Sequence, residues 1–148
     1  MFKKILLPTD GSQGVEKAIE CAAAIAEKFS AEIHVLSVAE ISRVAYGEFF
    51  PIELETLTQA FYQNAKEIVN ATINKLVALG VSKGKIKGEV RGGYPAEEIL
   101  RYAKEAEVDL IVMGTHGRRG LKRVLLGSVA DEVVHHALAP VMTVRMTE

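Results

Sequence analysis

The chain is almost without cysteine. Cys21 is the only one, so no intramolecular disulfide can form and a C-x-x-C metal or redox site is excluded. Its surroundings, CAAAIA, suit a small buried hydrophobe. Long apolar runs are missing too, and nothing approaches the roughly 18 residues of a membrane span. After Lys3 and Lys4, only Ile5, Leu6 and Leu7 precede Pro8, short of the about 7 to 15 apolar residues in a signal peptide. A cytoplasmic protein is expected. Net charge is close to nil: 18 Lys and Arg against 19 Asp and Glu leave -1, and no overall field draws the chain to nucleic acid or an anionic membrane. The common phosphate-binding signatures are absent as well. G-x4-G-K-[ST] does not occur, and Gly114-Thr115-His116-Gly117 does not fit G-x-G-x-x-G.

What is present is the composition of one globular domain. The 148 residues are 49% hydrophobic and 25% charged, enough to bury a core over residues 1–148. Phe2–Leu7 reads as a first strand closed by Pro8, and Asp10 with Gln13 resembles a capping box opening a helix. Val15, Ile19, Ala22, Ile25, Ala26 and Phe29 recur at helical spacing. A second strand holds Ile33, Val35, Leu36 and Val38, with His34 as a structural or edge residue. Ile41 to Pro51 shows no repeat and reads as a mobile or partner-facing loop. From Ile52 to Leu79, the stripe Leu54, Leu57, Phe61, Ala65, Ile68, Thr72 and Leu76 predicts the longest helix, a packing face ended by Gly80.

Residues Lys85–Arg91 form a weaker third strand in which Gly88 marks a close approach, and Pro95 opens a helix. The unalternating run Leu110, Ile111, Val112, Met113 suits a parallel strand covered on both faces. A helix from Ser128 to Ala137 and a last strand after Pro140 complete a β-α-β-α-β-α-β-α-β order. That order predicts an α/β fold: one doubly wound, Rossmann-like domain with a five-stranded parallel sheet and helices on both faces.

The segment after the fourth strand carries the chemistry. Gly114, Gly117 and Gly127-Ser128 stand at fixed offsets, with Arg118, Arg119, Lys122 and Arg123 between them. Glycine lets backbone N–H groups converge on phosphate oxygens, and a helix N-terminus favours an anion. Ser128 has two uses here, as a helix cap or as a hydroxyl donor to phosphate. The spacing fits a polyphosphate cradle; it also fits a glycine-rich turn with a solvated basic flank.

The chain resembles the universal stress protein family, in its nucleotide-binding branch. The residues that carry the resemblance are Gly114, Gly117, Gly127 and Ser128, which match G-x2-G-x9-G-[ST], together with the opening KKILLPTDGS and the ending APVMTVR. The resemblance implies strand order 3-2-1-4-5, which brings Asp10 next to Gly114. It implies an adenine nucleotide, ATP, whose adenosine half contacts Pro8, Thr9, Asp10 and Val38. Met113, Gly114, Gly117, Gly127, Ser128 and Val129 would surround the ribose and phosphates. Mg2+ would be held mainly through the phosphates and so would need few protein ligands.

No residue stands out as an attacking-group orienter besides His116 and the basic side chains, so binding is expected ahead of catalysis. A regulatory or stress-response switch is the first reading, a slow ATPase the second, and nucleic-acid binding through Arg118–Arg123 the third. His135 and His136 are adjacent on a helix and diverge by about 100 degrees, which rules out an i,i+4 metal pair. The last strand, Val141–Arg145, is an unprotected edge that predicts a homodimer, as the resemblance also implies.

Overall fold

Leu110, Ile111, Val112 and Met113 are all buried in strand β4 (Leu110–Gly114), so both faces of the strand are covered, as their unbroken hydrophobicity requires. The computed structural model describes residues 1–41, 51–115 and 126–146, with the backbone alone at 51 and 52. The expected loop at residues 42–50 lies outside them.

The other strands are β1 (Lys4–Pro8), β2 (Glu32–Ala39), β3 (Ile86–Gly92) and β5 (Val141–Val144). The helices are α1 (Glu16–Phe29), α2 (Pro51–Ala78), α3 (Pro95–Glu105) and α4 (Ser128–His136). Every neighbouring pair of strands is parallel, in the order β3-β2-β1-β4-β5. Alternate strand residues feed two cores. Ile5, Leu7, Ile33, Val35 and Val112 pack with Ala18, Ile19, Ala22, Val69 and Leu76 of α1 and α2. Leu6, Leu36, Ile111 and Met113 pack with Ile99, Tyr102, Ala130 and Val133 of α3 and α4.

Local details depart from the sequence reading where short-range hydrogen bonding has several solutions. Pro8 is the last residue of β1 instead of its stop. The capping box at Asp10 does not form: Asp10 Oδ1 accepts the Ser12 N–H at 3.0 Å, which is a turn. A 3-10 turn, Gln13–Val15, then precedes α1, and its cap Ser12 makes no side-chain capping bond. His34 is structural but not at an edge. It is 4% exposed in the interior strand β2, with Nδ1 2.6 Å from the Tyr102 hydroxyl and Nε2 2.8 Å from Glu32 Oε1. That contact with His34, first among its causes, holds the Glu32 carboxyl below its ordinary range.

Helix α2 is longer than the sheet is deep. Its 28 residues span about 42 Å, whereas the eight of β2 span roughly 26 Å. The C-terminal half lies on the sheet, with Ala65, Val69, Thr72 and Leu76 buried. Gly88 of β3 makes room for it: a Cβ there would stand 2.6 Å from Val69 Cγ1 and 3.0 Å from Ile73 Cδ1. Gly80, at φ +100, ends the helix as expected. From 53 to 64, by contrast, no side chain is buried. This part of α2 overhangs the carboxyl ends of the strands.

Candidate functional site

The chain winds outward in opposite directions from β1 and β4, which are hydrogen-bonded neighbours. Their following connections therefore separate and leave a crevice beyond the strands' carboxyl ends. A cavity of about 430 Å³ occupies that position, within the range of small-molecule sites. Its floor comes from the ends of β1, β2 and β4, one wall from the start of α4, and the opposite wall from α2.

The β1 side is shaped by backbone-directed side chains. Thr9 is 7% exposed, its N–H donates to the Leu36 carbonyl at 2.9 Å, and its Oγ1 accepts the Gly11 N–H at 3.1 Å. With the Asp10 bond to Ser12, these contacts turn the chain out of the sheet within two residues. Gly11 has φ +78, a left-handed conformation, and a Cβ there would also meet Ile68 Cγ1 at 2.9 Å.

The α4 side is an uncapped helix N-terminus. Gly127 occupies the cap position at φ -68 and ψ 163, and no side chain makes a capping bond. Ser128 is the first helical residue instead of the cap, which corrects one of its two readings. The first helical bond runs from the Asp131 N–H to the Gly127 carbonyl at 2.8 Å. The N–H groups of Ser128, Val129 and Ala130 come before it and carry the helix's positive pole beside the cavity. The Gly127 N–H donates to the Thr115 carbonyl at 2.6 Å, which fixes the start of α4 against the end of β4. Neither Gly114 nor Gly127 has a positive φ. Close approach, not left-handed backbone, is the use of glycine at Gly114, where a Cβ would stand 2.5 Å from the Gly14 carbonyl oxygen.

Nine of the ten expected site residues line this one cavity: Pro8, Thr9, Asp10, Val38, Met113, Gly114, Gly127, Ser128 and Val129. Gly117, the tenth, lies outside the described residues, as do His116, Arg118, Arg119, Lys122 and Arg123. Among the described lining residues, the charged side chains are Asp10 and Glu40, with no Lys, Arg or His. The described residues contain no group of three His, Cys, Asp or Glu side chains able to hold a metal.

Sequence reasoning missed the α2 wall. Phe61, Asn64, Ala65 and Ile68 line the cavity at i, i+3, i+4 and i+7 spacing. A usable signal existed in the helix length, since an apolar stripe of that extent outruns any strand it could cover.

The model described as the universal stress protein family matches residues 1–145. Universal stress protein MJ0531 of Methanocaldococcus jannaschii is 37% identical over 146 residues, covering 98% of this chain and 83% of that protein. The solved structure of MJ0577, from the same organism, is similar at TM-score 0.86 and 32% identity, covering 100% of this chain and 99% of that one. A universal stress protein solved in complex with cAMP shares the fold at TM-score 0.74 and 21% identity, covering 99% of each chain.

Proposed function

The chain belongs to the universal stress protein family, and on that premise we propose that it is a regulatory, stress-response protein that binds an adenine nucleotide, ATP, in the cavity at the ends of β1, β2 and β4. One observation carries the reading. Residues from segments far apart in sequence, 8–10, 38, 113–114 and 127–129, line a single cavity at the switch point of the sheet. The adenosine half rests against Pro8, Thr9, Asp10 and Val38, and the phosphates lie toward Met113, Gly114, Gly127, Ser128, Val129 and Gly117.

The residues present suit such a ligand. Pro8 and Val38 offer apolar surface for a base, while the uncapped start of α4 offers N–H groups and a positive pole for phosphate. Mg2+ is held mainly through the phosphates in this reading, so it needs few protein ligands. The family member solved with cAMP supports an adenine ligand by likeness of fold. Occupancy, and not turnover, is the signal, and the protein acts in the cytoplasm.

The test is calorimetric titration of nucleotide-free protein with ATP and Mg2+, beside a Gly127→Val variant. At φ -68 valine is conformationally allowed, so the variant adds bulk at the cavity without backbone strain. Saturation near one nucleotide per chain, lost in the folded variant, is the expected result. Absence of binding at millimolar ATP overturns the reading. Phosphate release that scales with protein and disappears in the variant makes the chain a slow ATPase instead.

The same reading includes a homodimer through β5. β5 lies at one edge of the sheet, where Met142 is 39% exposed and the neighbouring Leu138 is 92% exposed. The opposite edge, β3, is studded with Lys87, Glu89 and Arg91, the usual protection against edge pairing.

A further inference from the structure

We infer that occupancy of the cavity orders the overhanging half of α2, so that residues 53–64 are the conformational output of the site they wall. The inference rests on the nucleotide reading above and assigns to that site the element that reports its occupancy.

The two halves of α2 are held by different means. From Ala65 onward the helix is seated on the sheet: Ala65, Val69, Thr72 and Leu76 are buried, and the missing side chain of Gly88 lets Val69 and Ile73 close on β3. From 53 to 64 no side chain is buried, and Leu54, Leu57, Thr58, Phe61 and Tyr62 are only half covered. Helices draw most of their stability from the face they bury, and an unsupported one shorter than about 12 to 15 residues is marginal in water. Residues 53–64 continue a helix that is already anchored, so they need no nucleus, and each adds with a propagation constant of about 1 to 1.6 at best. Ordered and frayed forms of the segment are therefore close in free energy, which is the condition for a ligand to move it.

The cavity gives a ligand that leverage. Phe61 and Asn64 of this half line it, and neither is buried. A molecule in the cavity covers the Phe61 ring and the inner face of the helix, contacts that exist only while the segment is helical. It thereby binds the ordered form more tightly and draws the population toward it. Where the segment meets the sheet, the Tyr62 hydroxyl takes the place that a Gly92 side chain would fill, so the ordered position is defined at the end of β3. The opposite face carries Glu55, Gln59 and Gln63, all exposed. Occupancy is thus expressed on the surface as helix order, with no turnover needed. Linkage makes the effect reciprocal: whatever frays the segment must weaken the ligand.

The experiment has two readouts on the full chain. The first is hydrogen exchange by mass spectrometry, without ATP and with ATP at about 100 times its Kd, where binding slows any opening that expels the ligand by at most about a hundredfold. Exchange over residues 57–64 is expected to slow by about tenfold or more within that ceiling. The second is the calorimetric affinity for ATP of two variants, Ala60→Gly and Ala71→Gly, the same change made once in each half of α2. Both alanines are exposed and neither lines the cavity, and glycine lowers helix propagation by about fivefold at either place. Ala60→Gly is expected to weaken ATP by about two- to fivefold, since fewer chains hold the competent wall. Ala71→Gly lies between the buried Val69 and Thr72, where packing keeps the helix formed, and leaves the affinity unchanged. Exchange over 57–64 that ATP does not slow, or equal affinities in the two variants, overturns the role of α2 and leaves the nucleotide reading standing. Failure of the wild type to bind ATP overturns both.

Discussion

Gly114 and Gly14 meet backbone to backbone: a Cβ on Gly114 would stand 2.5 Å from the Gly14 carbonyl oxygen and 3.2 Å from its carbonyl carbon. The contact joins the end of β4 to the turn Gln13–Val15, directly beneath the cavity. The first glycine of the motif is thus required by packing, whether or not phosphate is present. The end of β4 and the turn that leads into α1 are held at one separation by the absence of a side chain.

Gly114→Ala must move backbone, because no flexible side chain is there to yield. The expected cost is about 1–3 kcal/mol, the usual range for overpacking a tight contact. It appears as a lower urea midpoint with an unchanged slope. An alanine variant as stable as wild type would show that the two backbones have slack.

Asp109 governs a pH dependence at the opposite end of the sheet. Its Oδ2 accepts the N–H groups of Lys3 and Lys4 at 2.8 and 2.9 Å, tying the start of β4 to the start of β1. These two bonds, first among the causes, hold its carboxyl below the usual range. A lowered folded-state pKa contributes stability that is full above the unfolded value of about 3.9 and is lost as pH falls through the folded value. Wild type should therefore exceed Asp109→Asn in stability at pH 7, and the gap should narrow as pH is lowered to about 3. Denaturant midpoints at the two pH values measure it; a gap that does not change with pH refutes the assignment.

Strand identities were legible because buried parallel strands show unbroken hydrophobic runs, as at Leu110–Met113, and because a glycine interrupting an alternating strand, Gly88, has a close neighbour. The order of strands came from the family resemblance, since periodicity carries no long-range pairing. Caps were the weak point. Asp10 and Ser128 are residue types with several local hydrogen-bonding solutions, and the chain used a turn at one and an uncapped start at the other. The stripe from Leu54 to Leu76 was legible as a helix face, yet periodicity does not say where the sheet beneath it ends. Hence the overhanging half, which lines the cavity through Phe61 and Asn64, passed as packing.

Tyr102 and His34 form a buried pair whose two hydrogen bonds depend on one hydroxyl. Burial, first among the causes, pushes the Tyr102 pKa above its ordinary value. The Glu32 carboxylate can only accept, which puts a proton on His34 Nε2, and in the neutral imidazole Nδ1 is then the acceptor of the Tyr102 hydroxyl. Nε2–H then donates to Glu32, and both ring nitrogens are satisfied. Tyr102→Phe keeps the ring that Arg91 covers at 4.9 Å but leaves Nδ1 unpaired. The expected loss is about 1–3 kcal/mol, the cost of an unsatisfied buried polar group. A thermal or urea midpoint equal to wild type would mean that water replaces the hydroxyl at no cost.

The asymmetry of the two sheet edges leads to the last prediction. In β5 the ladder groups facing away from β4 belong to Val141 and Thr143; Val141–Val144 holds no charged side chain, Leu138 is exposed before it, and Arg145 and Met146 are exposed after it. Pairing with a second copy across a two-fold axis satisfies those groups and covers the apolar side chains at once. Thr143→Pro removes one N–H and Met142→Lys adds charge where methionine is half exposed, each on the side remote from the cavity. Both variants should be monomeric by light scattering at micromolar concentration while wild type has twice their mass, with ATP affinity per chain unchanged. If wild type is itself monomeric with and without ATP, β5 is an open edge, and the apolar residues around it await a different partner.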